Sequence, residues 1–532
     1  MHKVVRYFHT LRCLKSKQLY YQLYYRVKKL GRRALKISYP LSVDRVGYPL
    51  TLVPYIPAEQ VYREGCFTLL NRAHLFGGEA GSIDWEFTGY GRLWVYNLNY
   101  FDVLIQQEMT QQKGLALIES FIGALHQESV GLEPYPVSLR GINWIKFLSE
   151  YQLRRDDIHR SLYAQYLILE RNLEYHLLGN HLLENAFSLL YGAFFFRVQR
   201  WFDKSRALLV RELDEQVLGD GGHFELSPMY HQILLHRLLD CVNLVRHNDY
   251  FGGQEELLML LVRKAGAMIG WLKAMTFLDG GVPHLNDSTN RVAASSGLLF
   301  DYAAWVGIEV GAIRPVCLKD SGYRKYSTLR YECVVDVGGI GPGYIPGHAH
   351  ADTLNFVMHV DGMPCVVDMG ISTYEKNARR DEERSSGAHN CVVVNGVNSS
   401  DVWGGFRVGA RAGVEIMEDK VDVVWARHDG YKRFGVMLGR KWEFDDGGIA
   451  ITDVVSGEVD SAEAYFHFDR SLFPEVLGNR VVTGRVVLEF EGALRVEIRK
   501  YMQALGFNWT VEAVCAVVTF RNALVTRIMC NT

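Results

Sequence analysis

Gly347-His348-Ala349-His350-Ala351-Asp352 runs straight into Thr353-Leu354-Asn355-Phe356-Val357-Met358-His359-Val360 and the dipeptide Asp361-Gly362. The apolar run reads as a strand, and Asp-Gly supplies a hairpin turn. On an extended chain His348, His350 and Asp352 alternate onto one face, so all three would point at one site. Asp368 ends the next run, Pro364-Cys365-Val366-Val367-Asp368, and His389 precedes Asn390-Cys391-Val392-Val393-Val394, so both can approach His350 from neighbouring strands. Two imidazoles and a carboxylate with an open position suit Zn²⁺. The same residues can also satisfy one another as a His/Asp hydrogen-bond network, and spacing does not choose between the two.

The two-residue period extends outward from this stretch. Tyr331 to Val337, Val421 to Ala426, Arg485 to Phe490 and Leu494 to Ile498 carry it, so the chain after Arg314-Pro315 reads as all-β, a large antiparallel sandwich. Upstream the period is helical. Gly114 to His126, Ile158 to Leu178, His181 to Asp203, Lys204 to Leu218, Tyr230 to His247 and Glu255 to Leu278 place apolar residues three and four apart, as in a helical bundle or an α/α toroid. The organisation expected is a basic segment and linker over 1–59, a helical domain over 60–318 and a β-sandwich over 319–532.

A chain of 532 residues exceeds one ordinary core, and 48% hydrophobic with 22% charged residues is a globular composition. The net charge of −2 is unevenly placed: residues 1–43 hold eleven Lys/Arg and no Asp or Glu, leaving 47 against 60 elsewhere. The main body therefore has no basic character to recommend it as a nucleic-acid binder. Nine cysteines without a C-x-x-C pair are not a disulfide framework. Met1 to Lys36 breaks every apolar run with polar or charged residues, which argues against a signal peptide, and no stretch is apolar enough to span a membrane. Leu19 to Arg33 can form a helix with aromatic and apolar residues on one side and Lys/Arg elsewhere. Such a helix would lie on an anionic membrane surface or dock on its own protein. A cytoplasmic or peripheral inner-membrane location is expected, with the periplasm as the alternative.

Two motifs in the helical half carry possible chemistry. In Gly179-Asn180-His181-Leu182-Leu183-Glu184-Asn185, helical spacing gathers Asn180, His181 and Glu184 near one helix end, to bind a carboxylate or to form a cap and a local ion pair. In Glu225-Leu226-Ser227-Pro228-Met229-Tyr230-His231, Pro228 at a helix start puts Tyr230 at the head of a helix, facing a cleft or packed. A phenol there acts as a base only where neighbours stabilise the phenolate. Trp94 to Asp102 and Glu133 to Trp144 are dense in Tyr96, Asn99, Tyr135, Arg140, Asn143 and Trp144, residue types that stack on pyranose rings, bond hydroxyls or clamp a uronate carboxylate.

Together with Ser385-Ser386-Gly387-Ala388-His389-Asn390, these motifs stand in the order found in the heparinase II/III family of polysaccharide lyases, which the chain resembles from about Trp94 to its C-terminus. The resemblance implies an N-terminal (α/α) toroid followed by a C-terminal antiparallel β-sandwich, with the active site between them. It implies β-elimination on a uronic-acid polysaccharide, giving a 4,5-unsaturated uronate. Asn180 and His181 would neutralise the carboxylate, Tyr230 would be the general acid or base, His348 would be its partner of opposite role or a substrate contact, and Glu184 would assist. His350, Asp368 and His389 would hold a structural zinc. Tyr374 and Arg384, in the loop between Asp368 and His389, would contact substrate. That loop carries Arg380-Asp381-Glu382-Glu383-Arg384 where an aromatic residue is often seen. An exopolysaccharide or lipopolysaccharide setting is one possible context. The competing readings are a glycoside hydrolase on the same toroid and a glycan-binding or assembly protein without turnover.

Overall fold

The computed structural model describes residues 2–77, 82–309 and 317–531. Two short helices, His2–Leu11 and Ser16–Ala34, precede an extended linker and a three-stranded sheet of Tyr62–Arg63, Cys66–Leu69 and Arg72–Leu75. Nine further helices then form two layers. Arg92–Tyr100, Pro134–Glu150, Gly179–Phe196, Pro228–His247 and Ser296–Trp305 pack successively as one layer. Gln111–Ala124, Asp156–Arg171, Gln199–Gln216 and Gln254–Met275 lie against them as the other. This is the expected α/α toroid. Its inner helices read as apolar all round because they are covered all round: in Gly179–Phe196 every residue except His181 is buried.

One expected helix is divided, and two aromatic-rich stretches turn out to be core. The expected helix from His181 to Asp203 breaks at Arg197, whose left-handed φ of 52° ends Gly179–Phe196 before Gln199–Gln216 begins. Pro134–Glu150 and Arg92–Tyr100 are core helices, so their aromatic density fills the interior. The change of period placed after Arg314-Pro315 lies outside the described residues.

The β half is a sandwich. An eight-stranded antiparallel sheet, with Met437–Asp445 and Gly448–Ser456 near its middle, faces a five-stranded sheet ending in Phe356–Val360 and Met363–Val366 and a four-stranded sheet ending in Val392–Val394. Leu438, Trp442 and Ile451 from the first share one core with Cys333, Phe356, Phe466 and Val518 from the other two. A second apolar cluster joins the halves: Trp271 and Met275 of the toroid meet Leu318, Tyr323, Val334 and Val357. Burying such a seam fixes the mouth between the domains, where the site lies.

Candidate active site between toroid and sandwich

The strand that begins at Phe356 does not include the His-x-His-x-Asp run. His348, His350 and Asp352 sit in an irregular loop before it, and Leu354 at φ 63° breaks the extended chain. They therefore do not share a strand face. The run is tied down from outside: Arg384 donates to the Ala349 carbonyl at 2.8 and 3.1 Å, Ser386 Oγ to the Ala351 carbonyl, and the His350 amide to Asn286 Oδ1. Arg384 is fully buried in this task, so its expected substrate contact is corrected to a structural one.

Asp287 is the hub of the site. Its buried carboxylate takes His348 Nδ1 at 2.8 Å on one oxygen and His350 Nε2 at 2.8 Å on the other. Arg380 meets both oxygens at 2.5 and 2.7 Å. Burial alone would raise this carboxyl, but Arg380 and the two histidines hold it well below the usual range. An ionised Asp287 makes His348 Nδ1 the protonated nitrogen, so Nε2 presents its lone pair to the cleft. There Asn180 Nδ2 lies 3.4 Å away and Glu225 Oε2 3.6 Å away.

Asn180 opens the helix Gly179–Phe196, and Glu225 receives both its backbone and its side-chain N–H at 3.2 and 3.3 Å. Glycine is required at 179: its φ is 56°, and a Cβ would stand 2.6 Å from Glu225 Oε1. His181 contacts Glu174 at 3.1 Å and Tyr135 at a ring separation of 4.7 Å. Burial pulls the imidazole down, but Glu174, with Glu225 and Glu184 nearby, holds it above its ordinary value. Glu184 is fully buried with neither oxygen hydrogen-bonded and Arg237 3.8 Å away. Desolvation outweighs that cation and pushes the carboxyl up to about 7.

Tyr230 stands at the head of Pro228–His247 because Ser227 caps that helix and Pro228 starts it. Ser227 Oγ also donates to the Asp287 carbonyl at 2.7 Å, which ties the tyrosine's helix to the hub. The Tyr230 ring lies 3.9 Å from that of His348, and its hydroxyl is 3.2 Å from that of Tyr374. Burial, reinforced by Asp287 and Glu225, raises both phenols well above 10. Each is therefore a neutral hydroxyl able to donate. Tyr374 is wedged between Phe406 and Phe507, at 5.2 and 4.9 Å.

The structure thus gathers Asn180, His181, Tyr230, His348, Tyr374 and Tyr135 at the junction of toroid and sandwich, with Glu184 buried beside them. It does not gather the remaining expected substrate contacts. Arg140 is buried and spends its guanidinium on Gln165 and on the carbonyls of Asn99 and Gly131. Asn99 donates to the carbonyls of Trp85 and Val95, Asn143 to Tyr100 O and Asp102, and Trp144 is wholly enclosed. These four are core residues. Tyr96 is bound to Glu133 and Arg92 outside this group. Sequence reasoning missed Asp287, Glu225 and Arg380. Asp287 sits in the polar run Asn286-Asp287-Ser288-Thr289-Asn290, which is buried apart from Asn290 and was the one available signal.

Of the expected metal set, Asp368 Oδ2 pairs with His389 Nδ1 at 2.7 Å, and the His350 and His389 rings are 5.2 Å apart. Among the described residues no group of three or more His, Cys, Asp or Glu side chains is gathered to hold an ion. His350 Nδ1, His389 Nε2 and Asp352 Oδ2 are nevertheless buried without a hydrogen-bond partner, and these donor types suit zinc.

Comparison with known proteins places the fold and the family. Residues 140–307 match the model of the heparinase II/III N-terminus, and residues 314–514 that of the heparinase II/III-like C-terminal domain. A heparin-sulfate lyase of Bacteroides stercoris is 28% identical over 131 residues, which is 24% of this chain and 19% of that protein's length. In fold, the chain resembles the crystal structure of heparinase III with a TM-score of 0.68 at 14% identity, covering 84% of this chain and 79% of that one. It also resembles the heparan sulfate lyase HepC from Pedobacter heparinus, with a TM-score of 0.55 at 16% identity over 88% and 81% of the two chains. With both domain models matched in order along most of its length, the chain belongs to the heparinase II/III family.

Proposed function

We propose that the protein is a polysaccharide lyase that cleaves a uronic-acid polymer by β-elimination. The observation that carries the reading is the convergence of a polarised His348 Nε2, the neutral Tyr230 and Tyr374 hydroxyls and the Asn180 amide on one cleft. Elimination needs a donor set for the uronate carboxylate, a base for the C5 proton and an acid for the departing 4-oxygen. Asn180 and the positively biased His181 supply the first, lowering the barrier to the carbanion-like transition state. His348 Nε2 takes the C5 proton while Asp287 stabilises the imidazolium formed. Tyr230 gives its proton to O4 as the C4–O4 bond breaks, and Tyr374 donates to the phenolate that results. The products are a 4,5-unsaturated uronate at the new non-reducing end and a new reducing end, because O4 leaves with the anomeric carbon of the preceding sugar. Ultraviolet absorbance of the unsaturated product on a panel of uronans tests this; new reducing ends without absorbance would overturn it.

A hydrolase needs two carboxyl groups facing the bond, roughly 5 to 10 Å apart. The carboxylates nearest the cleft, Glu174, Glu225 and Asp287, are committed to protein partners, which favours elimination. A pure glycan binder would have no use for the Asp287-oriented imidazole.

Zinc fits the reading in a structural place. His350 and His389, through their partnerless nitrogens, and Asp368 would hold it, and the ion would cross-link the loop of His350 to the sandwich edge beneath the cleft.

A further inference from the structure

The helix Ser16–Ala34 is docked along one side only. Gln18 donates to the Leu177 carbonyl, Tyr25 to that of Leu173, and Lys28 to that of Arg171. Gln18 is the helix's one buried residue. The opposite side carries Leu19, Tyr20, Leu23, Tyr24, Val27 and Leu30, at the three- and four-residue steps that keep them on one face. Tyr20, Leu23, Val27 and Leu30 are each more than half exposed, at 63, 64, 59 and 66%. Isolated exposed apolar residues are ordinary, but a continuous row pointing away from the protein is not.

The charges beside the row decide its partner. Arg26, Lys29 and Arg33 flank it on one side and Lys17 and Lys28 on the other, and neither helix contains an acidic residue. Arg26 and Lys29 are exposed and form no ion pair among the described residues. The preceding helix, His2–Leu11, continues the pattern with Tyr7, Phe8 and Leu11 exposed and Arg12 beyond. An apolar stripe bordered by cations matches a bilayer interface, where side chains enter the acyl boundary and Lys/Arg reach anionic headgroups. A polyanion alone would have no use for the apolar row.

We infer that residues 7–34 form a peripheral docking face for an anionic lipid bilayer. The face is braced against both halves of the cleft. Its second helix rests on the Leu173–Leu177 segment that leads into Asn180, and its first bonds to the hairpin of Val402–Trp403 and Arg407–Val408 through Thr10 and Trp403. Phe406 of that hairpin touches Tyr374 and His348. Docking would therefore set the cleft beside the bilayer surface.

The test is co-sedimentation of the full chain with vesicles of phosphatidylcholine alone or mixed with phosphatidylglycerol. Binding to the anionic vesicles is expected, roughly tenfold or more weaker for Leu23→Ser/Val27→Ser and reduced by Arg26→Gln/Lys29→Gln or added salt. Circular dichroism and activity on a soluble uronan should be unchanged, since these side chains touch neither core nor cleft. Absence of anionic-vesicle binding, or equal binding by the serine variant, would overturn the inference. So would finding that the face instead retains an acidic polysaccharide or pairs two copies of the chain.

Discussion

His348 Nδ1 lies 2.8 Å from Asp287 Oδ2, across the boundary between the sandwich and the toroid, and Arg380 grips the same carboxylate from a second loop. One buried anion therefore orients the proposed base, braces His350 and neutralises a buried guanidinium.

Removing that anion leaves Arg380 buried and uncompensated. Asp287→Ala is expected to lower unfolding free energy by about 3–5 kcal/mol in a denaturant titration. Asp287→Ala/Arg380→Met should recover much of the loss while leaving activity low, because His348 stays unoriented. Full recovery of activity in the double variant would contradict the role given to Asp287.

Glu184 gives stability a definite pH dependence. Its carboxyl is raised to about 7 in the native state against an ordinary value near 4.5, so the folded chain holds a proton that the unfolded chain releases. The associated stability is complete below the lower value and is lost as pH rises through the upper one, on the order of 3 kcal/mol in all. Denaturation between pH 4.5 and 8 should show this decline, and Glu184→Gln should flatten it.

Arg140 tests the correction from substrate contact to core. Arg140→Ala leaves the Asn99 and Gly131 carbonyls unpaired and should destabilise the toroid by about 2–5 kcal/mol, with little change in KM at temperatures where it stays folded. A large KM increase at unchanged stability would return it to the site.

Metal analysis of the purified chain should find about one zinc per molecule, falling in His389→Ala, with a lower melting temperature after chelation. A metal-free chain whose melting point ignores chelators would leave His350, Asp368 and His389 as a hydrogen-bonded network.

Much of this was legible in the sequence. The period of Pro228–His247 and its Ser-Pro start place Tyr230 correctly, and the motif at Asn180 marks a true helix head. The break at Arg197 was hidden because Phe194-Phe195-Phe196 continues the apolar pattern to the residue that turns left-handed. The His348 loop passed for a strand because its alternation is real, while the bonds that hold it in an irregular path come from Arg384 and Asn286, remote in sequence. Arg140 and Arg384 misled because a guanidinium buried on carbonyls has the same letter as one that binds a sugar acid. The polar run around Asp287 does not reveal its role, which depends on partners more than sixty residues away.

The most direct measurement is the ultraviolet progress curve on a cleavable uronan for the wild type and Tyr230→Phe, a change that removes one hydroxyl and little packing. The elimination account predicts an unsaturated product from the wild type and a fall in kcat of about 10²–10⁴-fold in the variant, with KM nearly unchanged. Wild-type rates in Tyr230→Phe, or cleavage without the unsaturated product, would contradict it.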